Sequence, residues 1–285
     1  TALLALDMNA DLEKQRLISR RAAAVGDSSL HLRAGESLTL TDLLKGALVH
    51  SGNDACYAVA EILAGSEPLF VHWMNMKAAV LGAYSVRMDN TNGLPCSTHL
   101  LSAADLARLC RYAMQNEFFA SVVASKYISL GEGASARRYQ NTNKLLWQNP
   151  HIVGIKTGTT DAAGPCLAAA YEDGAALYIS VVLNSPDRYG ESFSLLKHAA
   201  SRHMLFHLPC QGEALAYYPL GKGGVSLLAA KDLIVLMDAE AAEDLRLVWR
   251  LTPRGGSLTL TDSLGQELGA IDLLTEENYA AAAGH

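Results

Sequence analysis

An apolar run that ends in lysine, threonine and glycine has the character of a strand at the edge of a sheet. The run VGIKTGTT occupies residues 153–160, and its apolar positions alternate with Gly154 and Lys156. This alternation is the period of two of a β-strand, so Lys156 projects from the face opposite Ile155. Gly158 leaves space for another backbone to approach. Such an edge suits an extended peptide that ends in a carboxylate, although a solvated lysine on an ordinary edge strand has the same pattern.

Strand signals continue after this run. Residues 167–171 and 175–183 flank the dipeptide Asp173-Gly174, which is a strong signal for a tight hairpin. Together with residues 153–158, these two segments predict an antiparallel meander of three strands. The following residues, 189–207, are predicted to form a long helix.

Helical spacing dominates the first half of the chain. Thr39 or Thr41 can cap a helix that ends at Ser51-Gly52-Asn53, where glycine and asparagine permit left-handed backbone. Further helical segments follow up to about residue 115. The sequence therefore predicts an α/β fold of the α+β kind, with an antiparallel sheet packed against helices.

A second, smaller domain is predicted after residue 209. The segment Pro209-Cys-Gln-Gly212 marks a boundary between residues 1–209 and residues 210–285. Beyond it, short apolar runs rich in β-formers alternate with glycine-containing turns, which is typical of a small β-sandwich.

Composition excludes several classes of function. The net charge of −6 argues against a surface that follows nucleic-acid phosphates. No uninterrupted apolar run reaches the length of about 18 residues that a membrane span requires. The five cysteines are odd in number and form no C-x-x-C motif, so a structural zinc site is not expected. His203 and His207 have a spacing that metals can use on the predicted helix, but no third ligand lies nearby in sequence. We expect no metal and no cofactor.

Two short motifs gain specificity from their order. Ser51-Gly52-Asn53 follows a helix, and Lys156-Thr157-Gly158 lies on a strand before a hairpin and a long helix. Penicillin-recognising enzymes that transfer acyl groups to serine carry S-x-x-K, then S-x-N, then K-T-G.

On these motifs the chain resembles the low-molecular-mass penicillin-binding proteins, which are serine-type D-alanyl-D-alanine carboxypeptidases. The matching segments are residues 41–55, 143–147 and 154–164, and the resemblance runs from Thr1 to about residue 209. It implies the fold of the penicillin-recognising serine transpeptidases and β-lactamases. In that fold, helices cover both sides of an antiparallel sheet beside a helical subdomain. The tail from residue 213 is similar to the family's C-terminal β domain, though less specifically.

The resemblance also implies roles for individual residues. Ser51 would relay a proton toward the leaving amine, and Asn53 would position the base or the substrate amide. Lys156 would favour the terminal carboxylate of the substrate and a deprotonated catalytic lysine. Thr157 and Thr159 would hydrogen-bond that carboxylate. Backbone N–H groups of the strand after Lys156, at and beyond Gly158, would bind the peptide and the oxyanion.

The sequence departs from the family pattern in one respect. No S-x-x-K precedes Ser51, and the family places that motif on the helix that the first residues of this chain would continue. We therefore expect the nucleophilic serine and its basic lysine just upstream of Thr1. The only S-x-x-K by form is Ser194-Leu-Leu-Lys197, which falls after Lys156 and is interpreted as an ordinary part of a helix.

These expectations define one leading function and two alternatives. The leading function is removal of the terminal D-alanine from peptidoglycan stem peptides through an acyl-serine, with β-lactams acylating the same serine. This function implies a location in the cell envelope, in the periplasm or at the outer face of the cytoplasmic membrane. Peripheral membrane association would then come from a segment outside this chain. The alternatives are a β-lactamase or esterase of the same fold, and a non-catalytic peptidoglycan-binding relative.

Overall fold

The chain divides into two compact units. The computed structural model describes residues 1–8, 10–131, 136–174, 176–221 and 223–283. The first unit comprises Thr1–Asp173 with Leu177–Lys197, and the second comprises Gly174–Ala176 with His198–His285. The division near residue 197 lies earlier in the chain than the boundary at 209/210 expected from the sequence.

Helices make up most of the first unit before its sheet. They are α1 (Ala2–Asp7), α2 (Arg20–Ala23), α3 (Leu40–Lys45), α4 (Asn53–Ala64), α5 (Glu67–Val80), α6 (Ala103–Ala113) and α7 (Glu117–Ala124). Two short antiparallel strand pairs lie among them, β1 (Arg16–Leu17) with β2 (Ser37–Leu38), and β3 (Tyr127–Leu130) with β4 (Arg137–Gln140). A 3-10 turn, Lys144–Trp147, leads into the sheet.

A capping box sets the start of α3. The Asp42 backbone N–H donates to the Thr39 hydroxyl over 3.0 Å, and the Asp42 carboxylate accepts from the Thr39 backbone N–H over 3.4 Å. This reciprocal pair satisfies two donors that a helix start leaves without partners. After α3 the chain continues through a π-helical turn, Gly46–His50, and then reaches α4.

The predicted meander is present. Its strands are β5 (Ile152–Thr160), β6 (Gly164–Asp173) and β7 (Ala176–Val182), in the order β5-β6-β7. In the β5–β6 pairing Lys156 lies opposite Ala168 and Gly158 opposite Cys166. Ile155, Ala168 and Ala170 of this sheet belong to a core built largely from the helices. The α+β class predicted from the sequence is confirmed.

The second unit is a β-sandwich with a terminal helix. One sheet has the order β12 (Arg246–Thr252), β13 (Gly255–Thr261), β14 (Glu267–Thr275), β10 (Gly223–Ala229) and β9 (Ala214–Leu220). The other pairs β11 (Leu233–Asp238) with β8 (His203–Leu208). Buried leucine and isoleucine side chains from β10, β11, β13 and β14 fill the space between the sheets. Helix α9 (Glu276–Ala283) follows β14.

The helix predicted over residues 189–207 is shorter than expected. Helix α8 covers Arg188–Arg202, and His203–Leu208 forms strand β8. The histidine pair therefore lies on a strand, where His207 is opposite Ile234 of β11. Pairing with β11 outweighs the local helical preference of this segment.

A search for long apolar helices gives one negative result. Within the described ranges, no helix combines the length and the hydropathy that crossing a bilayer would require.

Candidate active site

Ser51 occupies a sharp turn between two helical segments. Its backbone is left-handed, with φ 65° and ψ 37°, and it ends the π-helical turn just before α4. Among the residues that the structure describes, none forms a hydrogen bond with the Ser51 hydroxyl. The backbone of the turn therefore sets the direction of its Cα–Cβ bond, and no hydrogen bond to a described residue ties down the hydroxyl.

Asn53 begins α4, and two backbone carbonyls of residues 26–28 accept hydrogen bonds from it. Its Nδ2 donates to the Gly26 carbonyl over 3.1 Å, and its backbone N–H donates to the Ser28 carbonyl over 2.8 Å. A carbonyl can only accept, so the Gly26 contact fixes which end of the amide carries the nitrogen. The Asn53 side chain is buried, and its oxygen is left to accept from another group.

Lys156 lies on β5, across a cavity from that turn. Ser51, Asn53 and Lys156 all line this cavity, whose volume is about 340 Å³. Thr1 and Cys56 line it as well, together with apolar side chains from α5, α6 and α7. The two motifs, which are about a hundred residues apart in sequence, therefore meet at one opening.

Burial sets the electrostatics of this cavity. Loss of hydration lowers the pKa of Lys156 from 10.5 to about 8, opposed by the Cys56 thiol and reinforced by the Arg188 guanidinium. Burial likewise raises the pKa of Cys56 to about 11. The Lys156 ammonium donates to the Thr157 carbonyl over 3.0 Å. The lysine can therefore change charge near neutral pH, whereas the thiol stays protonated there.

The predicted substrate-binding residues continue along β5. Thr157, Gly158 and Thr159 are not among the described residues that line the cavity. The Thr157 hydroxyl is 2.6 Å from the Thr142 hydroxyl, and the Thr159 hydroxyl donates to the Gly158 carbonyl over 2.8 Å. Gly158 and Thr159 are exposed, and Thr157 is half-buried.

Arg188 is a neighbour that sequence reasoning missed. From the first turn of α8, its Nη1 donates to the Gly158 carbonyl, the Thr159 hydroxyl and the Cys166 carbonyl over 2.9, 2.7 and 3.2 Å. A second cation is thereby fixed at the end of β5, where a carboxylate would meet the strand. An arginine at a helix start carries no sequence signal of its own, so only the fold could reveal this contact.

Asn143 is hydrogen-bonded to β5 near the start of that strand. It is fully buried, donates from Nδ2 to the Gly154 carbonyl over 2.9 Å, and accepts from the Leu145 backbone N–H over 3.1 Å. Asn143 opens the segment 143–147, which is one of the segments that match the family, and its contact with Gly154 ties this segment to β5. Asn143 acts on the strand that bears Lys156.

Ser194 and Lys197 lie elsewhere. Both are exposed on α8, and the Lys197 ammonium lies 5.6 Å from the centre of the Tyr171 ring. Neither residue lines the cavity that Ser51 and Lys156 share.

Sequence comparison identifies relatives of the chain. The profile of the peptidase S11 family, described as D-alanyl-D-alanine carboxypeptidase, matches residues 2–187. The D-alanyl-D-alanine carboxypeptidase DacF of Bacillus subtilis is 30% identical over 262 residues, which are 90% of this chain and 67% of DacF. DacC of Escherichia coli is 35% identical over 178 residues, which are 60% of this chain and 43% of DacC. The chain thus spans about two thirds of one relative and less than half of the other.

Solved structures share the fold. Penicillin-binding protein 6B from Escherichia coli superposes with a TM-score of 0.74 at 25% identity, over 96% of this chain and 83% of that one. A peptidoglycan synthesis regulatory factor (PBP3) from Streptococcus pneumoniae gives a TM-score of 0.77 at 23% identity, over 96% and 88% of the two chains. At 23% identity, the second likeness supports the fold alone.

Fold and family profile together define a serine-type hydrolase with the penicillin-binding-protein fold. The chain belongs to the D-alanyl-D-alanine carboxypeptidase family, peptidase S11. The resemblance to low-molecular-mass penicillin-binding proteins, drawn from two short motifs, is confirmed.

Proposed function

We propose that the protein removes the terminal D-alanine from peptidoglycan stem peptides in the cell envelope, through an acyl-serine that β-lactams also form. The observation that carries this proposal is the single cavity lined by Ser51, Asn53 and Lys156. It unites a hydroxyl, an amide and a cation with a pKa near neutrality, which are the groups that acyl transfer to serine requires.

Each of these groups has a place in the proposed reaction. Lys156 and Arg188 attract the terminal carboxylate of the peptide, which runs along the end of β5. The attacking serine gives its proton to a base and bonds to the carbonyl carbon of the scissile amide. The Ser51 hydroxyl relays a proton to the departing D-alanine amine, and Asn53 orients the amide. Water then hydrolyses the ester and restores the serine.

The attacking serine is the remaining part of the proposal. Ser51 is the only serine among the described residues that line the cavity, and no lysine stands three residues after it. We propose that the attacking serine belongs to the S-x-x-K motif that the family pattern places before the Ser-Gly-Asn turn. The cavity beside Thr1 and Ala2 is where that motif would arrive.

Intact-mass measurement of the full gene product with benzylpenicillin tests the proposal. We expect a stable adduct on a serine upstream of Thr1, together with release of D-alanine from a synthetic peptide that ends in D-Ala-D-Ala. Replacement of Lys156 by alanine should slow both reactions, whereas replacement of the exposed Ser194 should change neither.

The two alternatives give different outcomes in the same experiment. Rapid turnover of the antibiotic, with no lasting adduct, would indicate a β-lactamase or esterase. A full gene product that binds peptidoglycan fragments but forms no adduct and releases no D-alanine would be a non-catalytic relative. Either result would overturn the proposal.

A further inference from the structure

Asp54 stands directly after the Ser-Gly-Asn turn and is fully buried. Its carboxylate accepts from the Ser29 hydroxyl over 2.7 Å and from the backbone N–H groups of Leu30 and Leu32 over 3.0 and 3.1 Å. It also accepts from the Ala55 N–H over 2.9 Å. A buried carboxylate is costly unless donors surround it, and these donors satisfy that requirement.

Three of those donors belong to one segment, residues 26–32, which we call the backing segment. Its Gly26 and Ser28 carbonyls hold the side chain and the backbone of Asn53. The Ser28 hydroxyl donates to the His50 carbonyl over 3.2 Å, on the other side of Ser51. The segment therefore contacts the turn both before and after the serine.

Packing reinforces these hydrogen bonds. Leu30 is fully buried, and a Cβ built on Gly52 would lie 2.6 Å from the Leu30 Cγ. A Cβ on Gly46 would lie 2.2 Å from the Leu30 Cδ1. Both distances are too short for a real contact, so the leucine occupies space that these two glycines leave open.

Strand β4 holds the backing segment from the outside. The Tyr139 hydroxyl donates to the Leu30 carbonyl over 2.6 Å, and Arg137 donates to the same carbonyl over 3.3 Å. The Tyr139 ring also packs on the His50 ring, with 4.9 Å between the ring centres. The segment is thus fixed between β4 and the turn, and Asp54 is its anchor on the side of the turn.

We propose that Asp54 is a positioning residue for acyl transfer, which holds the backing segment so that Asn53 and Ser51 face the cavity in a fixed orientation. The proposal rests on the function proposed above. It assigns Asp54 no contact with substrate. Its effect passes through Asn53, whose amide is oriented by the Gly26 carbonyl, and through Ser51, whose hydroxyl has no partner among the described residues.

The test replaces Asp54 by asparagine in the full gene product. An amide at this position sets an N–H group against backbone N–H donors, so the backing segment loses part of its anchor. We expect the rate constant for acylation by benzylpenicillin, per folded molecule, to fall on the order of 10- to 100-fold, as for displaced catalytic groups. Ser29→Ala removes one of the donors to Asp54, together with the bond that the Ser29 hydroxyl accepts from the His31 backbone N–H over 2.9 Å, and should give a smaller fall in a protein that folds normally.

Asp105 provides the matched control. It is also a buried carboxylate near the start of a helix, and it accepts from the Ser85 hydroxyl over 2.6 Å and from the Ser85 backbone N–H over 2.8 Å. Asp105→Asn should lower the melting temperature but leave the acylation rate per folded molecule unchanged. If both variants lost acylation equally, the effect of Asp54 would be one of general stability and the proposal would be wrong.

A double-mutant cycle isolates the path through Asn53. Asp54→Asn should slow acylation much less in an Asn53→Ala background than in the wild type, because the group that it positions is already gone. Additive losses would overturn the proposal. Failure of the wild type to form any adduct would instead reject the proposed function, so the two failures are distinguishable.

Discussion

The Arg188 guanidinium and the Thr159 hydroxyl lie 2.7 Å apart, which fixes a cation from α8 at the end of β5. Removal of this side chain in Arg188→Ala should raise KM for a peptide ending in D-Ala-D-Ala about tenfold, or about 1.4 kcal/mol. Steady-state kinetics on the full gene product measure this change.

Arg202 offers the control for that variant. It is the exposed last residue of the same helix, and it pairs with Asp238 within the second unit. Arg202→Ala should leave KM unchanged. A fall in kcat alone in Arg188→Ala would show that Arg188 does not hold the substrate carboxylate.

Lys156 predicts how activity depends on pH. Because burial lowers its pKa to about 8, the ammonium is present below that pH and is lost above it. Acylation by benzylpenicillin should therefore decline as the pH rises through about 8. Lys156→Arg keeps its charge and should move this decline to higher pH. An unchanged profile in the arginine variant would assign the decline to another group.

The same shift predicts an effect on stability. The unfolded chain holds the lysine proton up to about pH 10.5, whereas the folded chain releases it near pH 8. The unfolded state binds more protons between these values, so the lysine makes the folded state more stable as the pH rises through this window. Buried thiols such as Cys56, whose pKa is raised, act in the opposite direction in both proteins. Urea unfolding at pH 7.5 and pH 10 should therefore show the free energy of unfolding of the wild type rising relative to that of Lys156→Met.

Substitutions of Ser51 separate the role of its hydroxyl in acylation from the effect of its left-handed backbone on stability. A left-handed backbone costs a non-glycine residue about 1 kcal/mol, and the greater freedom of glycine in the unfolded chain offsets a similar amount. Ser51→Gly should therefore unfold within about 0.5 kcal/mol of the wild type. It should still acylate more slowly, because the hydroxyl is gone. Ser51→Ala should acylate equally slowly, and normal acylation by either variant would remove Ser51 from the mechanism.

The site could be predicted from the sequence in part. The strand period placed Lys156 on β5, and the glycine and asparagine after Ser51 indicated a turn. The left-handed residue of that turn is Ser51 itself, whereas Gly52 is extended and Asn53 is helical. The partners of these residues could not be predicted, because they depend on long-range contacts. Asp54 meets residues 29–32 and Arg188 meets Thr159 only after the chain has folded.

The fold could be predicted to a similar extent. Capping at Thr39 and the meander after residue 152 followed local rules. The segment from His203 to Leu208 could not be predicted from local rules. It is a strand because it pairs with β11, some thirty residues later in the chain.

The hydrogen bond between His207 and Asp232 leads to a prediction for how the melting temperature of the second unit depends on pH in acid. Hydrogen bonds from His207, and from the backbone of Gln211 and Cys210, lower the pKa of Asp232 to about 2. A lowered carboxylate pKa stabilises the fold above the ordinary value near 3.8, and this contribution is lost as the pH falls to about 2. Asp232→Asn should therefore melt at a lower temperature than the wild type at pH 6, and the two curves should converge near pH 2. A constant difference across this range would contradict the assignment.

The packing of Leu30 against Gly46 and Gly52 has a consequence for how such proteins diverge. A larger residue at either glycine can be accommodated only if position 30 shrinks. A smaller residue at position 30 would leave a hole behind the serine turn. Across homologous chains, we expect these three positions to be exchanged as a set or to stay fixed, although they lie far apart in sequence.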